Sequence, residues 1–252
     1  KELLPINGKP GIEYILDECI EAGIKDIIFI ISKKKEIIKK YFYNDKYYKS
    51  IIKKKKDPRI IKEYKKILFY KKKIKFVYQN KPLGTGDAVL KTKKFIKNKY
   101  FLMLLPDDLI IKRNCSKEMI KIHKKYKCSV MASLKVKRNN VERWGIYTIA
   151  KTIDKNNFKI SNVVEKPNSK LAPSNNAVIG RYILNKDIFK YLRNQKKGKG
   201  GEIHITDTIR KMISKKNLFI GHKFSGKYLD CGTMSGYINS GIEISKLWKF
   251  AW

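Results

Sequence analysis

Residues 74–108 read IKFVYQNKPLGTGDAVLKTKKFIKNKYFLMLLPDD, and the order of elements in that stretch decides the fold. Ile74 to Tyr78 is a short β-branched and aromatic run, predicted as a strand. Pro82, Gly84 and Gly86 mark a turn, and the residues from about Thr85 to Ile96 follow helical spacing. Tyr100 to Leu105 is again a continuous apolar run, the pattern of a strand buried on both faces of a parallel sheet. Strand, glycine turn, helix and strand form a crossover unit, which joins parallel strands with a right-handed connection.

The same rhythm extends upstream. Pro10 to Ala22 reads as a helix with Ile12, Ile15, Leu16, Cys19 and Ile20 on one stripe. Pro10 suits its first turn and Gly23 its C-terminal stop. Asp26 to Ile31 is predicted as another doubly buried strand, and Lys33 to about Tyr43 as a helix. The lysine-rich stretch from Tyr47 to Lys73 is expected to be a surface helical insertion. Downstream, Lys117 to Tyr126 is an amphipathic helix. Beyond Ser129 the rhythm changes to strands at 129–134, 146–149, 158–164 and 177–184, an antiparallel or mixed extension. Helices near 187–193, 206–214 and 235–247 close the chain. The fold class expected is α/β, a doubly wound, mostly parallel mixed sheet, in a single domain over residues 1–252.

Composition bounds what the chain can do. Its 252 residues, 42% hydrophobic, suffice for a substantial core. No apolar stretch approaches the length of a membrane span. The net charge of +37 invites a nucleic-acid reading, but only seven of the 59 basic residues are arginine. Readers of nucleic acid favour the bidentate guanidinium and cluster it. Here lysine is scattered with Ile, Asn and Tyr, all encoded by AT-rich codons, so compositional drift explains the charge better than a selected binding face. Lys53–Lys56 and Lys71–Lys73 are expected on solvated surface, with only weak, salt-labile attraction to polyanions. The four cysteines form no C-x-x-C pair and the three histidines are scattered, which favours reduced thiols in a cytosolic protein over a zinc site. The first residue is Lys1, not Met, and no charged-then-apolar leader follows. An N-terminal piece is therefore expected to be lost.

In an open α/β sheet, ligands bind beyond the carboxyl ends of the strands. Gln79, Asp107 and Glu165-Lys166 each follow a predicted strand and share that rim. Asp107 can bind Mg²⁺, which takes one or two carboxylates and fills its shell with water and phosphate oxygens. It can equally cap a Pro-Asp turn. Asp230-Cys231-Gly232 carries the same two readings. Glu165-Lys166-Pro167 is either a solvated charge pair before a proline or a compact cation for an anionic sugar phosphate. Gln79 to Ala88 is either a structural turn or a glycine loop that admits a planar base, with Gln79 able to donate and accept. It matches neither a P-loop nor a Rossmann fingerprint. Gly200 to Asp207 reads as a loop followed by a helix N-cap at Thr206.

Taken in order, these segments resemble the bacterial UTP–glucose-1-phosphate uridylyltransferases, sugar nucleotidylyltransferases with a nucleotide-diphospho-sugar transferase-like fold. Lys1-Glu2-Leu3-Leu4-Pro5-Ile6 is similar to the family's Pro-Lys-Glu-Met-Leu-Pro segment. Gly8-Lys9-Pro10, Pro82-Leu83-Gly84-Thr85-Gly86, Leu105-Pro106-Asp107-Asp108 and Val164-Glu165-Lys166-Pro167 follow in the family's order. So do Ala172-Pro173-Ser174-Asn175, Gly180-Arg181-Tyr182 and Asp230-Cys231-Gly232. The resemblance implies that Asp107 and Asp230 hold Mg²⁺ and that Gln79 and Gly84 contact uracil. It implies that Gly145, Glu165 and Gly180 line the glucose, that Lys166 binds its phosphate, and that Lys1 contacts phosphate. Lys166 and Asp107 would carry the catalysis, with UTP and glucose 1-phosphate as substrates and UDP-glucose as product. A cytoplasmic homo-oligomer with no specific nucleic acid and no membrane partner is expected. The departures are specific. The family's N-terminal strand and its Gly-x-Gly-Thr-Arg loop are missing, Asp87 replaces a usual histidine, and Trp144 a usual tyrosine. This chain alone is therefore expected to be inactive. The alternatives are a related enzyme for another base or sugar, and a degenerate homologue that binds nucleotide sugars.

Overall fold

The structure is a computed structural model that describes residues 1–247. It opens with a small ribbon, β1 (Pro5–Ile6) against β2 (Lys9–Pro10), and helix α1 (Gly11–Glu21). Gly23, at φ +86°, ends α1: its N–H donates to Ile20 O and the Ile24 N–H to Cys19 O, a Schellman closure. Next come β3 (Ile27–Ile31), α2 (Glu36–Tyr43), α3 (Lys46–Lys55), α4 (Pro58–Lys71) and β4 (Ile74–Tyr78). The quoted stretch continues with α5 (Thr85–Lys91), β5 (Tyr100–Leu104) and β6 (Asp108–Ile111). Then follow α6 (Cys115–Tyr126), β7 (Ser129–Lys135), β8 (Gly145–Thr152), β9 (Asn157–Glu165) and β10 (Asn176–Asn185). The last elements are α7 (Ile188–Arg193), α8 (Ile205–Ser214), β11 (Phe219–Lys223), β12 (Lys227–Asp230) and α9 (Met234–Ser245).

A six-stranded mixed sheet, ordered β5-β10-β7-β11-β9-β8, forms the middle layer, and β8 also touches β10. Its faces follow from the two-residue period of strands. On β7, Val130 and Ala132 pack toward α6 with Cys115 and Met119. Met131, between them, packs on the other face with Leu192 of α7 and Ile205, Ile209 and Met212 of α8. On β10, Ile179 and Ile183 take the α6 face, while Val178, Tyr182 and Leu184 take the other. The expected α/β class is thus observed. The parallel pairings are β3 with β4 and β7 with β11, and all the others are antiparallel. The parallel share is smaller than the strand–helix alternation suggests, because the strands after Ser129 return largely without helical crossovers.

Two expectations need correction. The stretch from Tyr47 to Lys73 is helical but is more than surface. Lys53–Lys56 are exposed, whereas Tyr48, Ile67 and Tyr70 are buried against Phe42, Ile38 and Leu16. Dense lysines on the outer face mask an apolar stripe of ordinary period. The strands β3 and β5 are not buried on both faces either. Within β3 only Ile31 is fully buried, and β5 is half-buried throughout. Among the described residues, β3 pairs only with β4 and β5 only with β10, and a cleft of about 930 Å³ lined by both strands opens there. No helix among the described residues is long and apolar enough to cross a membrane.

Candidate active site

A second cleft, of about 310 Å³, opens at the rim of the six-stranded sheet. Four strand ends or kinks build it. β5 ends at Leu104, and the turn through Pro106 delivers Asp107 to the rim before β6 begins at Asp108. The two neighbouring carboxylates then part. Asp108 Oδ2 accepts from the Gly180 N–H at 2.6 Å and Oδ1 from the Tyr228 hydroxyl at 2.5 Å. Burial raises the Asp108 carboxyl above its ordinary value despite those two donors. It is a structural anchor, and Asp107 is left as the carboxylate that faces the cleft.

The pairing of β12 with β6 brings Asp230 beside this turn, with Asp230 opposite Asp108 in register. The Cys231 N–H donates to Asp107 O at 2.8 Å, and the Gly232 N–H to Asp230 Oδ1 at 2.8 Å. A methyl group built on Gly232 would lie 3.0 Å from Asp230 Oδ1 and 3.2 Å from Asp107 Oδ2. The two carboxylates therefore face one small space that only glycine leaves open. Cations already gather there. Lys1 Nζ pairs with Asp107 Oδ2 at 2.5 Å, and Arg143 Nη2 lies 3.6 Å from Asp230 Oδ2. Burial by itself would lower the Lys1 ammonium, but its hydrogen bond to Asp107 and the charges of Asp107, Glu2 and Asp230 hold it above its ordinary value.

This donor set suits a hard divalent ion. Among the described residues no group of three or more His, Cys, Asp or Glu side chains could hold a metal, so an all-protein cage has no basis there. An ion that takes two carboxylates and completes its shell with water and phosphate fits what Asp107 and Asp230 offer.

The far wall comes from β8, β9 and β10. Gly145 opens β8 opposite Glu165, the last residue of β9, and a methyl group on Gly145 would lie 3.1 Å from Glu165 Oε2. Gly180 sits where β10 slips register against β7 between Val178 and Tyr182, a bulge of the kind that re-aims side chains beside sites. Lys166 turns the chain sharply out of β9. It has φ +45°, its N–H donates to Trp144 O at 2.9 Å, and its ammonium makes no ion pair among the described residues. Gly180 is packed directly on the carboxylate turn: a methyl group there would lie 2.5 Å from both Asp108 Oδ2 and Leu105 Cβ. Gly180→Ala is accordingly expected to lower folding stability by about 1–3 kcal/mol through overpacking, read from the denaturation midpoint.

Of the residues singled out in the sequence, Asp107, Gly145, Glu165 and Gly180 line this cleft, and Lys1 and Asp230 join it through Asp107. Lys166 is the direct neighbour of Glu165. Gln79 and Gly84 stand apart from its lining, on the loop that leads to Thr85. The Gln79 amide donates to Gly84 O at 3.0 Å and to Asp87 Oδ2 at 2.9 Å, so Asp87 holds the loop closed from inside. Gly84, at φ +92°, lies so close to Ile203 that a methyl group would meet its backbone oxygen at 2.7 Å.

The expected N-cap at Thr206 is corrected. Helix α8 starts at Ile205, whose N–H donates to the Thr85 hydroxyl at 3.2 Å, and Thr206 lies in its first turn, lining the cleft. A cap supplied from α5 leaves no trace in the local sequence. Arg143 and Tyr228 were also missed, since a lone basic or aromatic residue in a turn or strand gives no signal of its own.

The profile of the nucleotidyl transferase family matches residues 1–246. The chain is a member of that family. Within this nucleotidyl transferase family, a Bacillus subtilis UTP–glucose-1-phosphate uridylyltransferase is 33% identical over 246 residues, covering 97% of this chain and 83% of the relative. One from Pseudomonas aeruginosa is 32% identical over 245 residues, covering 95% and 86%. A UDP-glucose pyrophosphorylase solved with UDP-glucose superposes with a TM-score of 0.85 at 35% identity, covering 98% of this chain and 91% of that one. A UTP-bound UGPase from Acinetobacter baumannii gives a TM-score of 0.87 at 29% identity, covering 98% and 86%. The resemblance read from scattered motifs therefore extends over nearly the whole chain.

Proposed function

We propose that this nucleotidyl transferase moves UMP from UTP to glucose 1-phosphate, giving UDP-glucose and pyrophosphate. The observation that carries the reading is the convergence of Asp107 and Asp230 on one space beside Gly145, Glu165 and Gly180. Its relatives' names and the UDP-glucose-bound neighbour support the choice of base and sugar.

A phosphate oxygen of glucose 1-phosphate attacks the α-phosphorus of UTP, and the bond from that phosphorus to the bridging oxygen breaks as pyrophosphate leaves. The attacking phosphate is already ionised near neutral pH, so no strong base is required. In-line displacement needs positioning and charge neutralisation. Asp107 and Asp230 would hold Mg²⁺, which when bound withdraws charge from the reacting phosphates. Glu165 accepts hydrogen bonds from sugar hydroxyls, and the glycines at 145 and 180 let the ring approach the backbone. Lys166 offers a compact cation to the sugar phosphate at the end of β9. Lys1 neutralises Asp107 in the absence of ligand, and its charge is then available to a phosphate. Gln79 and Gly84 present the loop on which a uracil would rest, with the Gln79 amide leaving its internal partners to do so.

Turnover of each nucleotide with each sugar 1-phosphate by the full-length protein, followed chromatographically, tests the reading. UDP-glucose from UTP and glucose 1-phosphate is expected to form fastest. Faster turnover of another pair would reassign the specificity, and no turnover of any pair would leave a binding protein.

A further inference from the structure

Arg181 is fully buried one residue beyond the glycine that touches the carboxylate turn. Its Nε and Nη2 donate to both oxygens of Glu18, at 3.1, 3.1 and 2.8 Å. Nη1 donates to Leu105 O at 3.2 Å and to Gly180 O at 3.1 Å, and Nη2 also donates to Asp108 O at 2.6 Å. One rigid group therefore grips the backbone on both sides of Asp107. Glu18 is itself fixed, accepting from the N–H and hydroxyl of Ser116 at the start of α6. The turn held in this way carries Asp107 O, which in turn accepts the Cys231 N–H and sets where Asp230 lies.

Such a pair is a poor device for stability, since well-packed apolar residues usually replace a buried ion pair without loss. Apolar side chains cannot, however, satisfy three backbone carbonyls in a fixed plane, nor can a lysine reproduce the planar fork. Resting on the metal reading above, we infer that Arg181, oriented by Glu18, is a positioning residue that sets the separation and direction of Asp107 and Asp230. It touches neither substrate nor metal. It acts through the backbone of the turn, as outer partners of metal ligands do.

The test uses two readouts on the intact chain: hydrogen exchange of the segments 104–110 and 229–233, and Mn²⁺ affinity measured by electron paramagnetic resonance with UDP-glucose present. Arg181→Lys is expected to speed exchange in both segments by about 10-fold, as local opening becomes easier. It should also weaken Mn²⁺ binding by about 10- to 100-fold. Met212→Ala, a core truncation on α8 among apolar neighbours, is the control that lowers the melting point without altering either readout. Where Arg181→Lys does not fold, Glu18→Gln serves, with smaller shifts in the same direction. Parental exchange or parental Mn²⁺ affinity in a folded variant would overturn the inference. If the parent chain binds no Mn²⁺, the metal reading fails by itself, and the exchange data still decide whether Arg181 positions the turn.

Discussion

In the full-length protein, Asp107→Asn is expected to leave the fold in place and to lower UDP-glucose formation by roughly 10³-fold, about 4 kcal/mol of transition-state stabilisation. The two halves of that result have separate causes. The carboxylate's only ion pair among the described residues is with Lys1, whose side chain is 44% exposed against 29% for Asp107. Pairs so open to solvent contribute about 0–1 kcal/mol, so the melting point should hardly move. In the proposed mechanism the rate depends instead on two negative charges facing the space at Gly232, and an amide removes one of them. A protein that only binds nucleotide sugars would show no such dependence, and an unchanged rate in a kinetic assay would remove Asp107 from the chemistry.

Lys166 gives a different signature, because its side chain and its backbone pull in opposite directions. The ammonium is proposed to meet the sugar phosphate, so Lys166→Ala is expected to reduce kcat/KM for glucose 1-phosphate by roughly 10²-fold. The KM for UTP should change little. The backbone, however, is in the left-handed region, which costs an L-residue about 1 kcal/mol or more. Lys166→Gly should therefore lose the same activity while raising stability by about 1 kcal/mol, measured by denaturant titration. Lysines at 56, 112, 127 and 216 share that backbone region. Those at 56 and 127 are C-caps of helices, where it is a routine way to stop, 216 lies just past α8, and 112 turns the chain out of β6. Lys166 follows β9 and precedes a proline, its N–H held by Trp144 O, and among these lysines it is the direct neighbour of Glu165 in the cleft. If the glycine variant were neither more stable nor less active, the proposed role would be lost.

The residues that reached the site from sequence alone did so through position relative to strands. Asp107 after Leu105 and Glu165-Lys166 after Val164 each end an apolar run, and strand ends in an α/β sheet share a rim. Asp230-Cys231-Gly232 reads from the residues as either a metal ligand or a turn. Only the resemblance chose between them, because its strand, only Lys227–Asp230, is too short to show a period. Its partner β6 is equally short and was not expected. β11 was missed for another reason: Phe219-Ile220-Gly221-His222-Lys223 breaks its apolar run with a glycine. That glycine is there because Phe158 lies against it, and a methyl group would meet the ring at 2.3 Å. Arg181 stayed hidden because only long-range contacts reveal that a basic residue between Gly180 and Tyr182 points inward. In a chain this rich in lysine, charge no longer marks what is exposed, and burial has to be seen in the fold.

The break between β3 and β5 has a consequence for how the molecule holds together. Phe42, Tyr48, Ile67 and Tyr70 give the β3–β4 pair and its helices a core of their own, and among the described residues no strand pairing joins that pair to the large sheet. Across the gap, the loop after β4 is tied to the segment before α8 by backbone bonds, Gly86 N–H to Ile203 O at 2.7 Å and Ile203 N–H to Leu83 O at 2.8 Å. Gln79 follows β4, Glu165 ends β9 of the large sheet, and Asp230 ends β12, which pairs with β6. A ligand that touches all three is then a clamp as well as a substrate, and its binding adds to folding free energy by mass action.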